Sequence, residues 1–413
     1  MHIIHTADWH IGQNFFGYDR KEEHEAFFDW LRQQLIRTEA DVLLICGDVF
    51  DGPNPSALSQ NLYYSFLKEI TTENPSLQVV IIAGNHDSAA RLEAPAPLLE
   101  DRRIQIVGVV EKTLNGELDY KKMIIPLYEN GVHKAWCLAV PYLRMGDLEI
   151  ENKIEHNYSA AVENFYQKLL QVLNLEREKE EAVVMMGHLQ ATGSELLAGD
   201  RSERTIIGGL ESVLPEAFDK DIAYVALGHL HKGQQVSGRN YVRYAGAPLP
   251  MSFAEKNFKQ GVNLIELQNG KLQNIERLSF DSPVKLLSIP FKAAPWKEVL
   301  QELDQLPIIE KVGDEVGDEG SKYPFLEVKI WEEEPQPFMR SQIEAALRGK
   351  AVRLARITLE RLCKEKQEMI VDLDNIQNID PFTMASKVYM ERYGVPMPES
   401  MANLMKIVIQ EEQ

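Results

Sequence analysis

Residues 41–51 read DVLLICGDVFD, in which a run of apolar residues leads directly into a glycine and two aspartates. A short apolar run of this kind is typical of a strand that is buried on both faces of a sheet. In open α/β sheets, ligands bind beyond the carboxyl ends of the strands, so polar residues at that position indicate a site. The stretch therefore predicts a buried strand over residues 42–46 that places Asp48 and Asp51 at one edge of a sheet.

The flanking sequence alternates apolar runs with amphipathic stretches. Residues 3–7 and 79–83 predict further strands, while residues 20–38 and 55–70 carry apolar side chains at helical spacing. This strand–helix–strand order predicts a largely parallel sheet that helices cover on both faces. Later stretches predict a helix near 158–176, strands at 121–126, 135–140, 182–186 and 222–227, and closing antiparallel strands at 242–245 and 261–267.

Polar motifs follow five of the predicted strands. In chain order they are Asp8 and His10; Gly47, Asp48 and Asp51; Gly84, Asn85, His86 and Asp87; Gly187 and His188; and Gly228, His229 and His231. Carboxylate and imidazole ligands together suit Mn, Fe or Zn better than Ca or Mg. Two metal ions about 3.5–4 Å apart need a shared anionic ligand, which a carboxylate provides. Each motif alone is compatible with an ordinary turn, but five of them at strand ends predict a two-metal centre.

Some residues near these motifs leave alternatives open. Asp51 is compatible with a hydrogen bond to a ligand histidine and equally with a cap on the following helix. Arg201 and Arg204, in the stretch GDRSERTIIGG, are compatible with phosphate contact, although exposed loop arginines are common. His5 lies inside the first predicted strand, where a place in the core is the simpler interpretation.

The order D-x-H, G-D-x-x-D, G-N-H-D, G-H and G-H-x-H resembles the calcineurin-like metallophosphoesterase family. The resemblance implies an α/β fold, an αββα sandwich around two metal ions. It implies one metal held by Asp8, His10, Asp48 and His231, and a second held by Asp48, Asn85, His188 and His229, with Asp48 bridging. It also implies that His86 acts as general acid or transition-state stabiliser, oriented by Asp87. Hydrolysis of a phosphoester is the expected reaction, because two such ions activate water and offset phosphoryl charge.

Longer strings narrow the class of phosphoester. HTADWHIG, GDVFDGPNPS, GHLHKGQ and YAGAPLPMSFAEKNFKQGV resemble the nuclease subunits of bacterial SbcCD-type DNA-repair complexes. The resemblance is specific over the first 265 residues. It implies a Mn²⁺-dependent exonuclease on double-stranded DNA ends and endonuclease on single strands or hairpins, acting in repair, recombination and replication. It further implies a coiled-coil ATPase of the SbcC type and a second copy of the chain as partners.

The composition excludes several classes of protein. No apolar run in the 413 residues reaches the roughly 18 needed to cross a membrane, and the N-terminus does not resemble a secretory signal. Cys46, Cys137 and Cys363 lack metal or redox spacing, which favours a reducing compartment and predicts the cytoplasm. The net charge of −19 argues against a protein that coats DNA by charge alone. Bound cations and a partner protein would supply the missing positive charge.

The chain divides into predicted segments of different composition. Residues 1–278 form the metallophosphoesterase domain, and residues 281–356 predict a small α+β capping domain in the order strand, helix, strand, helix, strand. The acidic stretch 310–320 within it predicts a surface loop. Residues 360–378 are charged and resemble a linker. Residues 379–413 predict a helical tail whose apolar face favours binding to the ATPase partner, with the core of a helical hairpin as the alternative.

Two other functions compete with a nuclease. A small-molecule phosphodiesterase or phosphatase of the same fold would act on nucleotides and would not need the segments after residue 278. A non-catalytic scaffold on this fold would lack at least one ligand, whereas every expected metal position and His86 are filled. The sequence therefore argues against a decayed site.

Overall fold

The computed structural model describes most of the chain, namely residues 1–148, 158–178, 180–195, 212–214, 217–218, 221–309, 322–332, 338–361, 389–390, 398 and 401–402. The chain divides into two compact units, Met1–Glu360 and Arg361–Gln413. Arg201, Arg204, the acidic stretch 310–320 and nearly all of the predicted linker and tail lie outside the described residues. The predictions made for those segments, and the boundaries between the predicted domains, therefore stay predictions.

The strands and helices that the sequence predicted in the first unit lie close to their expected positions, and several short elements were not predicted. The strands are β1 (His2–Thr6), β2 (Asn14–Phe15), β3 (Tyr18–Asp19), β4 (Val42–Cys46), β5 (Gln78–Ile82), β6 (Ile104–Val107), β7 (Ile124–Glu129), β8 (Val132–Ala139), β9 (Ala182–His188), β10 (Tyr224–Gly228), β11 (Gln234–Val236), β12 (Arg239–Tyr244), β13 (Gly261–Gln268), β14 (Lys271–Ser279), β15 (Leu286–Pro295), β16 (Phe325–Glu332) and β17 (Arg353–Arg361). The helices are α1 (Lys21–Arg37), α2 (Ala57–Glu73), α3 (Ala89–Glu93), α4 (Ala96–Leu99), α5 (Tyr158–Leu173), α6 (Trp296–Asp304) and α7 (Met339–Ala346).

Two sheets lie face to face at the centre of the unit. The first has the order β14-β13-β1-β4-β5-β6, with β1, β4, β5 and β6 parallel and β13 antiparallel to both neighbours. The second has the order β11-β12-β10-β9-β8-β7, in which β12, β10, β9 and β8 run parallel. The parallel strands of each sheet end at a common edge, and that is where the polar motifs of the sequence begin.

Alternate residues of β4 show how the layers pack. Leu43 and Ile45 belong to a core shared with α1 and α2, whereas Leu44 and Cys46 belong to a core shared with the second sheet. The fold is thus the αββα sandwich that the family resemblance implied. The strand–helix pattern alone predicted helices on both faces of one sheet, and that prediction was wrong. A strand buried on both faces has the same apolar sequence whether a helix or a second sheet covers it.

The closing strands differ in part from their predicted pairing. Strand β13 is antiparallel to β1, as expected, and its hairpin with β14 adds an edge strand to the first sheet. Strand β12, however, pairs parallel with β10 and antiparallel with β11. Strands β14 and β11, which the sequence did not predict, lie at the edges of the two sheets. An edge strand that is buried on one face has a weak apolar pattern in its sequence.

The capping segment forms a small sheet of order β15-β16-β17, with α6 and α7 packed against it. Its side chains Val299, Leu303, Leu326 and Ile343 are buried in a core of their own. An aromatic cluster of Phe15 in the β2–β3 hairpin, Phe253 and Phe325 joins this segment to the larger part of the unit, and the aliphatic Val284 packs with it.

None of the helices in the described part of the chain combines the length and the apolar character that crossing a bilayer requires.

Candidate metal centre

The five polar motifs meet at the carboxyl edge of the two sheets. The floor of the site is buried and consists of Asp8, His10, Asp48, His188 and His231. Its rim is partly exposed and consists of Asn85, His86, His229 and Asp51. Because two sheets contribute, loops far apart in sequence converge on one small volume. The structure thus brings together the seven residues predicted to bind metal and the predicted general acid His86.

Backbone hydrogen bonds fix the loop after β1 against the loop after β4. The N–H of Asp8 donates to Gly47 O, and the N–H of His10 donates to Asp48 O, both at 3.0 Å. Asp8, His10 and Asp48 have positive φ angles of 55°, 47° and 49°. Non-glycine residues in this conformation are uncommon and concentrate at functional sites, where the surroundings hold the strain. The loops therefore keep an unfavourable backbone conformation that directs these side chains into the site.

Glycine is required at Gly84 by close approach. A Cβ there would overlap Asp48 Oδ1 and the Asp48 backbone nitrogen. Gly47 combines a φ of +82° with a position where a Cβ would meet the His188 ring. The glycines ahead of these motifs thus let neighbouring loops come within contact distance of the ligand side chains.

Three of the residues predicted to hold the first metal carry buried polar atoms without a hydrogen-bond partner in the described part of the chain. Asp8 Oδ2, His10 Nε2 and Asp48 Oδ2 are buried and have no hydrogen-bond partner among the described residues. His10 Nε2 lies 3.8 Å from Asp48 Oδ2, and the rings of His10 and His231 are 5.1 Å apart. Buried polar atoms are costly without partners, so atoms of this kind facing one another indicate a cation between them. The donor set fits a divalent transition metal.

The second predicted set gathers around Asn85. Its Oδ1 lies 2.9 Å from His188 Nε2 and 3.0 Å from His229 Nδ1. His188 Nε2 is also 3.3 Å from Asp48 Oδ2, so the same carboxylate oxygen faces both sets. Asp8, Asp48 and His188 place their ligand atoms within 4.8 Å of one another. The geometry fits a bridging role for Asp48, while the assignment of single ligands to each ion stays a prediction.

The site strongly favours positive charge. Burial raises the pKa of Asp8 to about 6, despite the nearby His188 and His231. Burial alone would lower the pKa of His188, but the carboxylates of Asp48 and Asp8 raise it to about 10. The same histidine, with His10 and His86, outweighs burial at Asp48 and holds the pKa of its carboxyl well below the usual range. Such mutual perturbation of buried groups in a cleft is typical of functional sites.

Hydrogen-bond and ion-pair contacts orient two of the predicted ligand histidines. His188 Nδ1 donates to Cys46 O at 2.8 Å, and His10 Nδ1 lies 3.5 Å from Asp51 Oδ1. The cap of α2 is Ser56, whose hydroxyl accepts from Ser59 N. Asp51 therefore faces His10, a predicted ligand, and does not cap α2. Groups that hold one ring nitrogen direct the other towards the metal.

His86 and Asp87 occupy different environments. The His86 ring lies 4.9 Å from the His10 ring, and His86 Nδ1 is 3.0 Å from Asp51 O. Asp87 is buried, and its carboxylate accepts from the backbone N–H groups of Val49, Phe50 and Gly84. The sequence predicted that Asp87 orients His86. The structure instead places Asp51 O at the His86 ring, because adjacent residues of this loop point to opposite sides.

Sequence reasoning missed Glu255. This residue is buried, and its Oε1 lies 3.2 Å from His231 Nδ1. It sits in the string MSFAEKNF, whose pattern gives no sign of a contact 24 residues back. His5, by contrast, is the core histidine that the sequence predicted, with its ring nitrogens at Tyr224 Oη and Leu227 O.

The chain matches two protein families and several relatives. The calcineurin-like phosphoesterase family matches residues 1–233, and a family described as the type 5 capsule protein repressor C-terminal domain matches residues 282–393. The SbcD component of nuclease SbcCD from Rhodobacter capsulatus is 37% identical over 87% of this chain and 88% of its own. The SbcD proteins of Escherichia coli K12 and Bacillus subtilis are 31% and 29% identical, over 73% and 74% of this chain and 76% of each relative.

Proposed function

The chain belongs to the calcineurin-like phosphoesterase family, within the group of the SbcD proteins, and from this premise we propose that it is a Mn²⁺-dependent DNA nuclease. It cleaves double-stranded DNA from the ends and cuts single strands and hairpins. It acts in the cytoplasm with a coiled-coil ATPase of the SbcC type in DNA repair, recombination and replication. The observation that carries the proposal is the convergence of the predicted ligand residues, among them Asp8, Asp48 and His188, at the carboxyl edge of the two sheets, in a chain 37% identical to a relative named as a nuclease.

The proposed reaction is hydrolysis of a phosphodiester. Two bound divalent ions would lower the pKa of water and offset charge on the phosphoryl oxygens. Asp8, His10, Asp48 and His231 would hold one ion, and Asp48, Asn85, His188 and His229 the other. His86 lies on the partly exposed rim, where a substrate can reach it. With Nδ1 donating to Asp51 O, its Nε2 is free to carry the proton that the leaving oxygen needs.

Partners complete the proposed assembly. A chain with a net charge of −19 offers little general attraction for DNA, so a partner that contributes a positively charged surface fits the proposal. We place the ATPase contact on residues 379–413. A second copy of the chain would complete a complex of two nuclease and two ATPase subunits.

The test is cleavage of a labelled linear duplex and a labelled hairpin by the full chain in Mn²⁺. His86→Ala is the catalytic variant, and His133→Ala is the matched control, because His133 lies on β8 beside Glu181 and away from the site. We expect His86→Ala to lose about 10²–10⁴-fold in rate, and His133→Ala to cut at the wild-type rate. Hydrolysis of bis-p-nitrophenyl phosphate is measured in parallel.

The competing function predicts a different pattern. Rapid turnover of the small diester with intact DNA, even after addition of a cognate ATPase, would contradict the nuclease and favour a small-molecule phosphodiesterase. Equal DNA cleavage by wild type and His86→Ala would contradict the role of His86 alone.

A further inference from the structure

Glu255 is a carboxylate fully enclosed by the protein, with 0% of its surface exposed. Its Oε1 lies 3.2 Å from Nδ1 of the buried His231. A buried carboxylate is costly unless its oxygens are hydrogen-bonded or paired. Its position beside a predicted metal ligand therefore calls for an explanation in terms of that ligand.

The carboxylate is held in place by its own turn. The N–H of Met251 donates to Oε2 at 2.9 Å, and the hydroxyl of Ser252 donates to Oε1 at 3.3 Å. The N–H of Glu255 donates to Ser252 O at 3.1 Å, which closes the short helical turn Phe253–Glu255. The carboxylate is thus oriented before any ligand binds, and its direction does not depend on solvent.

The contact with Glu255 gives the two nitrogens of the His231 ring different roles. An ionised carboxylate only accepts hydrogen bonds, so Nδ1 must be the donor and Nε2 is the nitrogen directed at the site. The hydrogen bond from His188 Nδ1 to Cys46 O assigns the roles of the two His188 ring nitrogens in the same way, but its acceptor is a neutral carbonyl. A charged acceptor at His231 also makes the imidazole a stronger ligand.

Glu255 is also anchored from the far side. Phe253, in the same turn, is buried, and its ring lies 5.5 Å from the ring of Phe15. Phe15 in turn lies 4.8 Å from Phe325 of β16. The turn that carries the carboxylate therefore belongs to the aromatic cluster that joins the capping segment to the rest of the unit.

We propose that Glu255 is a positioning residue of the metal centre, whose carboxylate fixes the His231 ring for the ion that Asp8, His10 and Asp48 would share. The inference rests on the proposed metal-dependent function and deepens it. Loss of such an outer partner typically weakens metal binding by about 10–100-fold. The effect falls on one ion, because the second predicted set does not include His231.

The experiment measures Mn²⁺ binding to the full chain by calorimetry and by electron paramagnetic resonance. The variants are Glu255→Ala and Glu255→Gln, and the matched control is Glu327→Gln. Glu327 is another buried carboxylate, on β16, and Ser288 Oγ and Thr358 Oγ1 donate to it. We expect wild type and Glu327→Gln each to bind two Mn²⁺ ions, with the same affinities in both proteins. Both should give the spectrum of a coupled pair of ions.

Glu255→Ala should bind one of the two ions about 10–100-fold more weakly, and the coupled spectrum should give way to that of a single ion at limiting Mn²⁺. Glu255→Gln keeps an acceptor oxygen and should fall between wild type and Glu255→Ala. If circular dichroism shows that Glu255→Ala is unfolded, the affinity of Glu255→Gln decides, and a wild-type value overturns the proposal. Two ions bound by Glu255→Ala as tightly as by wild type overturn the positioning role alone. A wild-type chain that binds no Mn²⁺ overturns the proposed function and this inference with it.

Discussion

The backbone N–H of His86 donates a 2.8 Å hydrogen bond to Oδ1 of Asp48. This bond joins the loop after β5 to the loop after β4 at the centre of the site. It occupies one oxygen of Asp48, while Oδ2 lies buried with no hydrogen-bond partner among the residues that the structure describes. The predicted bridging carboxylate is therefore aimed by the backbone of the loop that also carries the predicted general acid.

Gly84 makes this arrangement possible, so Gly84→Ala should disrupt it. The new Cβ would overlap Asp48 Oδ1 and force the two loops apart. We expect a loss of stability of about 1–3 kcal/mol from overpacking. We also expect a fall of about 10²-fold in diester hydrolysis, since a displacement of about 1 Å at a reacting centre has that effect. Thermal denaturation and bis-p-nitrophenyl phosphate turnover measure the two quantities.

Gly52→Ala is the control for this substitution. Gly52 follows the same strand β4, but a Cβ there would meet nothing within 4 Å. Its activity and stability should match those of wild type. Wild-type turnover by Gly84→Ala would show that the loops can separate without harm, which contradicts the close-packing argument.

Asp87→Asn should act on stability as much as on rate. The Asp87 carboxylate accepts three backbone hydrogen bonds that tie the loop after β4 to the start of the β5 loop. An amide turns one acceptor into a donor that faces N–H groups, and an unsatisfied buried group costs about 1–3 kcal/mol. We expect a lower free energy of unfolding in urea, together with slower turnover. His86→Ala should be slow but as stable as wild type.

Asp281→Asn serves as the surface control, because Asp281 is exposed and pairs with Lys285. It should change the unfolding free energy by less than about 0.5 kcal/mol. An Asp87→Asn variant as stable as this control, yet inactive, would restore the role in orienting His86 that the family resemblance implied.

The contrast between Asp87 and Glu255 illustrates what the sequence could predict. Strand β4 was predictable because all five of its residues are apolar and buried, and the predicted ligand motifs lie at or just beyond the ends of largely apolar strands. Roles that depend on direction were not predictable. Asp87 is next to His86 in the chain but faces the backbone beneath it, while Glu255 meets His231 only once the sheets have paired. Strand β14 was missed for a related reason, since eight of its nine residues are partly or fully exposed.

Metal removal should destabilise the chain, by an amount set by the ratio of the metal concentration to the dissociation constant. Ligands that bind the folded state alone stabilise it by mass action, by about 2.7 kcal/mol at a hundredfold excess over the dissociation constant. We expect chelation to lower the melting temperature and Mn²⁺ to restore it. The same concentration of Ca²⁺ should restore much less of the melting temperature, because imidazole ligands suit transition metals. Asp48→Asn should abolish the Mn²⁺ effect, whereas an equal response to Ca²⁺ and Mn²⁺ would contradict the proposed donor set.

The core histidine His5 predicts a pH dependence that is independent of the metal ligands. It is fully buried, and burial together with the charge of Arg277 lowers the pKa of its imidazole to about 3. The unfolded chain binds a proton at His5 near pH 6.5, whereas the folded chain does not until about pH 3. The contribution to stability is therefore complete above pH 6.5 and is lost as the pH falls below it. The slope approaches about 1.4 kcal/mol per pH unit.

His5→Gln isolates this contribution, because glutamine can accept from Tyr224 and donate to Leu227 O but does not titrate. Urea denaturation of the two proteins should give a constant difference in unfolding free energy between pH 7 and 8. Below pH 6.5 wild type should lose stability faster than the variant, so the two curves converge and then cross if glutamine packs well. Parallel curves down to pH 4.5 would mean that His5 stays uncharged in both states or gains its proton in the fold, and either result contradicts the buried neutral imidazole.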